Sequence, residues 1–388
     1  MLSGMIRQDS WRVDQMLICF RRMAAPRLPL KQMPLLVLPR FLAGMRFRHW
    51  LGLLHYHRWR IHPAFIPRAL AATAGALLTS LLSRVEWLLE RTPVDAAAWE
   101  RPIFILGLGR SGTTHLFNLM APDERVCVPT RFDVFHANTF LTRRRLGLAA
   151  LYRLVPSRSR GMDGVQVNWF TPEEDVIALA LLHGKGGRLD WCFPRSDSRR
   201  LDPEATIASL HRFTRKLVQL HGRPVVLKSP SHLSIVPTLL RAFPRARFLT
   251  IFREPARIVA SVDGLQHSST AFWATLQWPD LKPVEDIVER CGRGLAAYEA
   301  ARPLIPEGQL AEIRYEDLVR DEVGTLRHAY QALGESPPSW LDTVVPHGTP
   351  YQANRHPPLP PEAQARLREA FAPLYERGFY GPGGEGEA

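Results

Sequence analysis

The stretch Gly107-Leu-Gly-Arg-Ser-Gly-Thr-Thr114 is built to hold an anion. Its glycines let the backbone approach a ligand closely, and the amides that open the following helix point at it. Two familiar patterns overlap here. As G-x-G-x-x-G the stretch reads as a dinucleotide fingerprint, which needs an acidic residue about 20 positions on. Asp133 is the nearest candidate, and it follows Pro129 rather than a clean strand. As G-x-x-x-x-G-T-T it is a P-loop with Thr113 in the lysine position, so the lysine that reaches β- and γ-phosphates is missing.

Other groups suited to anion chemistry lie downstream. Lys228 in "LKSPSHL" stands at the end of an apolar run and faces the crevice of the loop. A fixed cation there stabilises a leaving oxygen more in the transition state than in the ground state. "FREPARIVASV" carries Arg253, with a forked donor set suited to a dianion, and Ser261 eight positions later. "YQANRHPPLP" adds Asn354 and Arg355 in a basic loop. Proton acceptors are Glu173 and Glu174 in "FTPEEDVIAL" and His232, four positions after Lys228. "TPEED" also reads as a helix start, with Thr171 as N-cap and Pro172 at the first helical position. Four cysteines lie far apart without C-x-x-C spacing, so neither a zinc site nor a disulfide framework is expected.

These groups need a scaffold, and the patterning supplies one. "PIFILGL", "RPVVLKSP" (223–230), "RARFLTIFREP" (245–255) and "QLAEIRYEDLV" (309–319) read as buried strands. "GTTHLFNLMA", "PARIVASVDGL" and "DEVGTLRHAYQALG" read as helices between or after them. Alternation of this kind predicts an α/β fold, a P-loop-like three-layer parallel sheet flanked by helices. Residues 1–100 read as a basic helical N-terminal extension and 101–380 as the main domain. Within that domain 131–222 is a mostly helical insert, 267–283 is a loop-like aromatic stretch, and 381–388 reads as a disordered tail.

"GRSGTT" resembles the 5′-phosphosulfate loop of sulfotransferases, which use 3′-phosphoadenosine 5′-phosphosulfate. The resemblance covers roughly residues 100–380 and is nearest to bacterial-type members with "TPEED" in the insert and "KSPSHL" after the second strand. It implies that Gly109, Arg110, Ser111, Gly112, Thr113 and Thr114 hold the 5′ end of the donor, and that Lys228 touches its bridging oxygen. It implies that Arg253 and Ser261 bind the 3′-phosphate and that the segment with Asn354 and Arg355 closes over it. The implied product is 3′-phosphoadenosine 5′-phosphate, and no metal is expected. Soluble members carry a histidine two residues after the lysine; here His232 is four away, and related bacterial members use a glutamate. Glu173, Glu174 and His232 therefore all stand as candidate bases, with Asp133 or another residue as the remaining alternative. "FREP" replaces the commoner Arg-Asp-Pro, and the loop has Arg-Ser where many members have Lys-Ser or Arg-Thr.

The implied activity is transfer of a sulfuryl group to a hydroxyl. Trp169, Trp191, Phe193, Phe272, Trp273 and Trp278 suggest an apolar acceptor, a small molecule or lipid; the same residues also read as core. Net charge is +13, and the segment Gln15–Val85 holds eleven Lys/Arg without one Asp or Glu, so the remainder nets only +2. That segment reads either as helices packed on the domain or as a patch for a membrane surface. Its apolar run Ala69–Leu82 is shorter than the roughly 20 residues of a spanning helix. No nucleic-acid module is visible and Met1–Gln15 lacks the apolar core of a secretory signal, so the expected location is cytoplasmic, peripheral at the inner membrane face if the patch is used. The rival functions are a P-loop nucleotide-binding or kinase-like protein and a non-catalytic membrane-associated binding protein. The sequence leaves the oligomeric state open.

Overall fold

Four short runs rich in Ile, Leu, Val and Phe become the strands of one parallel sheet: β1 (Ile103–Leu106), β2 (Val226–Lys228), β3 (Arg247–Phe252) and β4 (Leu310–Arg314). Their order is β2-β1-β3-β4, with Ile103 opposite both Val226 and Arg247, and Phe248 opposite Leu310. This computed structural model describes residues 37–160, 165–185, 187–196, 202–342 and 358–381. The chain leaves β1 toward one edge and returns from β2 to the other side. A crevice therefore opens above the carboxyl ends of β1 and β3, the usual ligand position in such sheets.

The helices that bear on the site are α1 (Phe47–Tyr56), α2 (Ile66–Leu89), α3 (Thr113–Met120), α4 (Arg131–Phe135), α5 (Phe140–Arg145), α6 (Asp175–His183), α7 (Pro203–His221), α8 (Val236–Ala242), α9 (Pro255–Gln266), α10 (Val284–Ala301), α11 (Glu322–Ala332) and α12 (Pro361–Ala370). Strand residues alternate between two apolar clusters. Phe104, Leu227 and Phe248 join Phe213 and Leu217 of α7 and Leu295 of α10. Ile105, Val226 and Leu249 join Leu116 and Phe117 of α3 and Leu326 of α11. Both faces of the sheet are thus covered, as parallel strands require.

The N-terminal segment is part of this body. Phe41, Trp50, Leu53 and Phe65 belong to the same continuous core as the sheet and the insert. The aromatic stretch after α9 joins it too: Phe272 and Leu276 are buried, and Trp278 packs on Phe65 at 6.2 Å. The insert holds α4–α7 and a small hairpin pairing Arg158–Ser159 with Gln166–Val167.

Two expected boundaries shift. The fourth strand does not run to Val319; it ends at Arg314, and Tyr315–Arg320 is a short helix with Glu316 and Asp317 in its first turn. "TPEED" does not start its helix at Thr171. The Thr171 hydroxyl bonds locally to Asn168, Pro172 bridges to Thr130, and α6 begins only at Asp175.

Candidate active site

The loop after β1 adopts the conformations its residues predict. Gly112 caps α3 with φ +99°, and a methyl group there would lie 2.2 Å from Cδ2 of Tyr315. Only glycine allows that backbone and that approach together. Arg110 takes φ +75°, unusual for a residue with a side chain, and turns its carbonyl toward β3.

Arg253, at the end of β3, donates from Nη1 to that Arg110 carbonyl at 3.1 Å. Its guanidinium stacks on the Tyr315 ring at 4.5 Å, and its Nε has no partner among the described residues. Arg110 Nε donates in turn to Ser261 Oγ at 3.0 Å, so the loop arginine reaches the α9 serine. Glu254 does not take Arg253 as a partner. It caps α9, accepting from the amides of Ala256 at 2.8 Å and Arg257 at 2.9 Å. Ser111 Oγ is fully buried and also has no partner among the described residues. Two arginines, the loop amides and orphaned buried donors are a set suited to an anion such as a phosphate.

Lys228 ends β2 and is buried to 2% exposure. Its ammonium lies between Thr114 Oγ1 of α3 at 3.3 Å and Glu174 Oε1 at 2.9 Å. Burial alone would raise the Glu174 carboxyl. The positive charges of Lys228, Arg188 and Arg160 outweigh it and hold the group at about 2.

Three consecutive acids have three different cationic or imidazole partners. Glu173 meets Arg131 at 2.9 Å, Glu174 meets Lys228 at 2.9 Å, and Asp175 lies 2.9 Å from His232. Glu173 also accepts from the Glu174 amide, which steadies the turn. His232 sits in the 3-10 turn Pro230–Ser234, only 1% exposed and edge-on to Phe104 at 5.3 Å. Its ring lies in the core on the Phe104 face, whereas Lys228 reaches toward Phe117 on the other. Asp133 is the third residue of a capping box with Thr130 and pairs with Arg144 at 2.7 Å, a structural role.

Asn354 and Arg355 lie outside the described residues. Of the candidate aromatics, Phe193 and Phe272 are core, and Trp191 is exposed beneath Arg188 at 4.1 Å. Trp169 stacks on His136 and Trp273 packs against Phe41 and Phe135. Sequence reasoning missed Tyr315, Asp175 and Arg131. Tyr315 stood at a strand end, a position that signals a site, but the overlong fourth strand concealed it.

A sequence profile described as the sulfotransferase family matches residues 102–339. Over 304 residues the chain is 28% identical to the omega-hydroxy-beta-dihydromenaquinone-9 sulfotransferase Stf3 of Mycobacterium bovis and that of Mycobacterium tuberculosis, covering 75% of this chain and 78% of those proteins. Its fold is similar to that of sulfotransferase STF1 from Mycobacterium tuberculosis, with 19% identity, TM-score 0.56 and coverage of 84% of this chain and 92% of that one. It is likewise similar to sulfotransferase STF9 from Mycobacterium avium, with 18% identity, TM-score 0.58 and coverage of 84% and 89%.

Proposed function

This chain belongs to the sulfotransferase family, and on that premise we propose that it moves a sulfuryl group from 3′-phosphoadenosine 5′-phosphosulfate to the hydroxyl of an apolar, lipid-like acceptor. The observation that carries the reading is Lys228 held between Thr114 of the anion loop and Glu174.

Bound in the crevice, the donor supplies the sulfuryl group. The loop amides with Ser111, Thr113 and Thr114 hold its 5′ end, and Arg253 and Ser261 take the 3′-phosphate, joined by Arg110, which its bond to Ser261 turns from the expected 5′ end. Lys228 turns from Glu174 to the oxygen that links sulfur to phosphate. The sulfur–oxygen bond breaks there as a new one forms to the acceptor oxygen, and Lys228 stabilises the charge gathering on the leaving group. Glu174 loses the largest of its counter-charges while Arg188 and Arg160 remain, so burial raises its proton affinity against weaker opposition. It then accepts the hydroxyl proton as the new bond forms. In this reading Glu174 is the base, Glu173 and Arg131 fix the turn that carries it, and His232 with Asp175 orients the adjoining backbone.

The acceptor class rests on two supports. The mycobacterial relatives are named for a hydroxylated menaquinone. Arg188 lies over Trp191 at 4.1 Å and Trp273 at 5.9 Å, two rings suited to an apolar acceptor.

The test supplies donor labelled at sulfur to the protein with hydroxylated lipids, hydroxylated quinones among them. Label should pass to at least one lipid, and Lys228→Ala should slow transfer by about 100-fold or more. Transfer that is unchanged by Lys228→Ala contradicts the mechanism. No transfer to any alcohol contradicts the acceptor class.

A further inference from the structure

Helix α2 is built inside out. Its buried side presents small and polar groups: Arg68, Ala69, Ala72, Ala76, Thr79, Ser83 and Glu86. Its exposed side presents large apolar ones, with Leu70 66%, Leu77 51%, Leu81 61%, Val85 47% and Leu88 59% exposed. A helix covering a soluble core carries the reverse pattern. An apolar stripe from Leu70 to Leu88, about 27 Å at 1.5 Å per residue, marks a surface that meets something apolar.

The buried side excludes one way of meeting it. By length and composition alone Pro63–Leu89 would suffice to cross a bilayer. Yet Arg68 donates to the carbonyls of Phe272 at 3.0 Å and Thr275 at 2.6 Å, and Thr79 donates to that of Ala43 at 2.8 Å. Glu86 accepts from the amides of Leu141 at 3.1 Å and Thr142 at 2.7 Å and pairs with buried Lys216. These bonds lock one face of α2 to the domain along its whole length. Only the opposite face is available, lying flat.

The charges around the stripe choose the occupant. Arg58 and Arg60 flank exposed Trp59 before the helix, Arg84 lies within it, and Arg91 stacks on exposed Trp87 at 3.6 Å near its end. Acidic groups are withdrawn: Glu86 is buried, and Glu90 is bound by Arg212 at 2.7 Å. A second copy of this basic face would set arginine against arginine. An anionic lipid surface matches both features, since it takes leucine into its acyl boundary, tryptophan at the interface and arginine at the headgroups. We propose that the exposed face of α2 lies in the plane of an anionic membrane surface and holds the enzyme there. This docking does not depend on the identity of the donor or the acceptor.

Sedimentation of the full-length protein with vesicles tests it. Vesicles of phosphatidylcholine mixed with phosphatidylglycerol should bind at least about tenfold more tightly than pure phosphatidylcholine, and salt should weaken the binding. The triple variant L70Q/L77Q/L81Q should lose at least about tenfold in affinity for the anionic vesicles with an unaltered circular dichroism spectrum. If the triple variant fails to fold, Leu81→Gln alone gives the same comparison at smaller amplitude. Undiminished binding by the stripe variant overturns the proposal. So does a wild-type dimer that the variant converts to monomer, because the stripe would then be covered by a second copy.

Discussion

Glu174 contacts Lys228 at 2.9 Å, while the acids on either side of it lie 2.9 Å from Arg131 and His232. The pair sits where the anion loop, the end of β2 and the turn before α6 converge. In the proposed mechanism the base is restrained by the cation that serves the leaving group until that cation changes partner, so donor binding would be coupled to base activation.

Glu174→Gln should therefore lower the turnover rate by about 100- to 10,000-fold, the range of a lost general base. Affinity for adenosine 3′,5′-bisphosphate should change little. Glu173→Gln should cost less than about tenfold, because its carboxylate serves the turn and not the acceptor. Steady-state transfer rates beside calorimetric affinities separate the two variants.

The same pair gives a dependence on pH. The Glu174 carboxyl stands at about 2 in the folded protein against 4.5 for an unperturbed glutamate. A depressed carboxylate contributes stability above its unfolded value, and that contribution is lost as pH falls from 4.5 toward 2. Lys228→Met removes the largest of the charges that depress this carboxyl, so the contribution shrinks. The gap in urea midpoint between wild type and Lys228→Met should be widest near neutral pH and narrow below 4.5.

Arg253→Ala should weaken adenosine 3′,5′-bisphosphate binding by about 10- to 150-fold, the equivalent of about 1.5–3 kcal/mol for a charge-assisted hydrogen bond. Ser261→Ala should weaken it less, since Arg110 remains. Titration calorimetry on both variants checks the order.

Gly112→Ala should destabilise the fold by about 1–3 kcal/mol, through its left-handed backbone and the collision with Tyr315. Gly109→Ala is the control: a methyl there meets no atom within 4 Å. It should leave the melting temperature unchanged and reduce only donor affinity, because the methyl takes space that the ligand needs.

Lys216→Met leaves the buried Glu86 carboxyl without its counter-ion, and should cost about 3–5 kcal/mol in chemical denaturation. The loss should appear as detachment of α2 from α5, read by faster amide exchange at Leu141 and Thr142.

The strands and the loop were legible because their signals are local: apolar runs closed by glycine, and a glycine pattern with one geometric use. Lys228, Arg253 and Ser261 were singled out by their place after those strands and by the family resemblance, and the structure brings all three to the loop. The choice among Glu173, Glu174 and His232 was not, because three adjacent acids differ only in which partner the fold brings to each. Their partners come from 42, 54 and 57 positions away along the chain, at Arg131, Lys228 and His232. The inverted α2 was hidden for the same reason. Ala69–Leu82 is apolar all round, and only the packed structure tells which side its alanines and which its leucines take.

Binding of adenosine 3′,5′-bisphosphate against ADP, by calorimetry on wild type and Arg253→Ala, tests the central claim most directly. Strong preference for the bisphosphate, lost in the variant, is the predicted result. Equal affinity for ADP, or a preference that survives removal of Arg253, would contradict the donor site at the ends of β1 and β3.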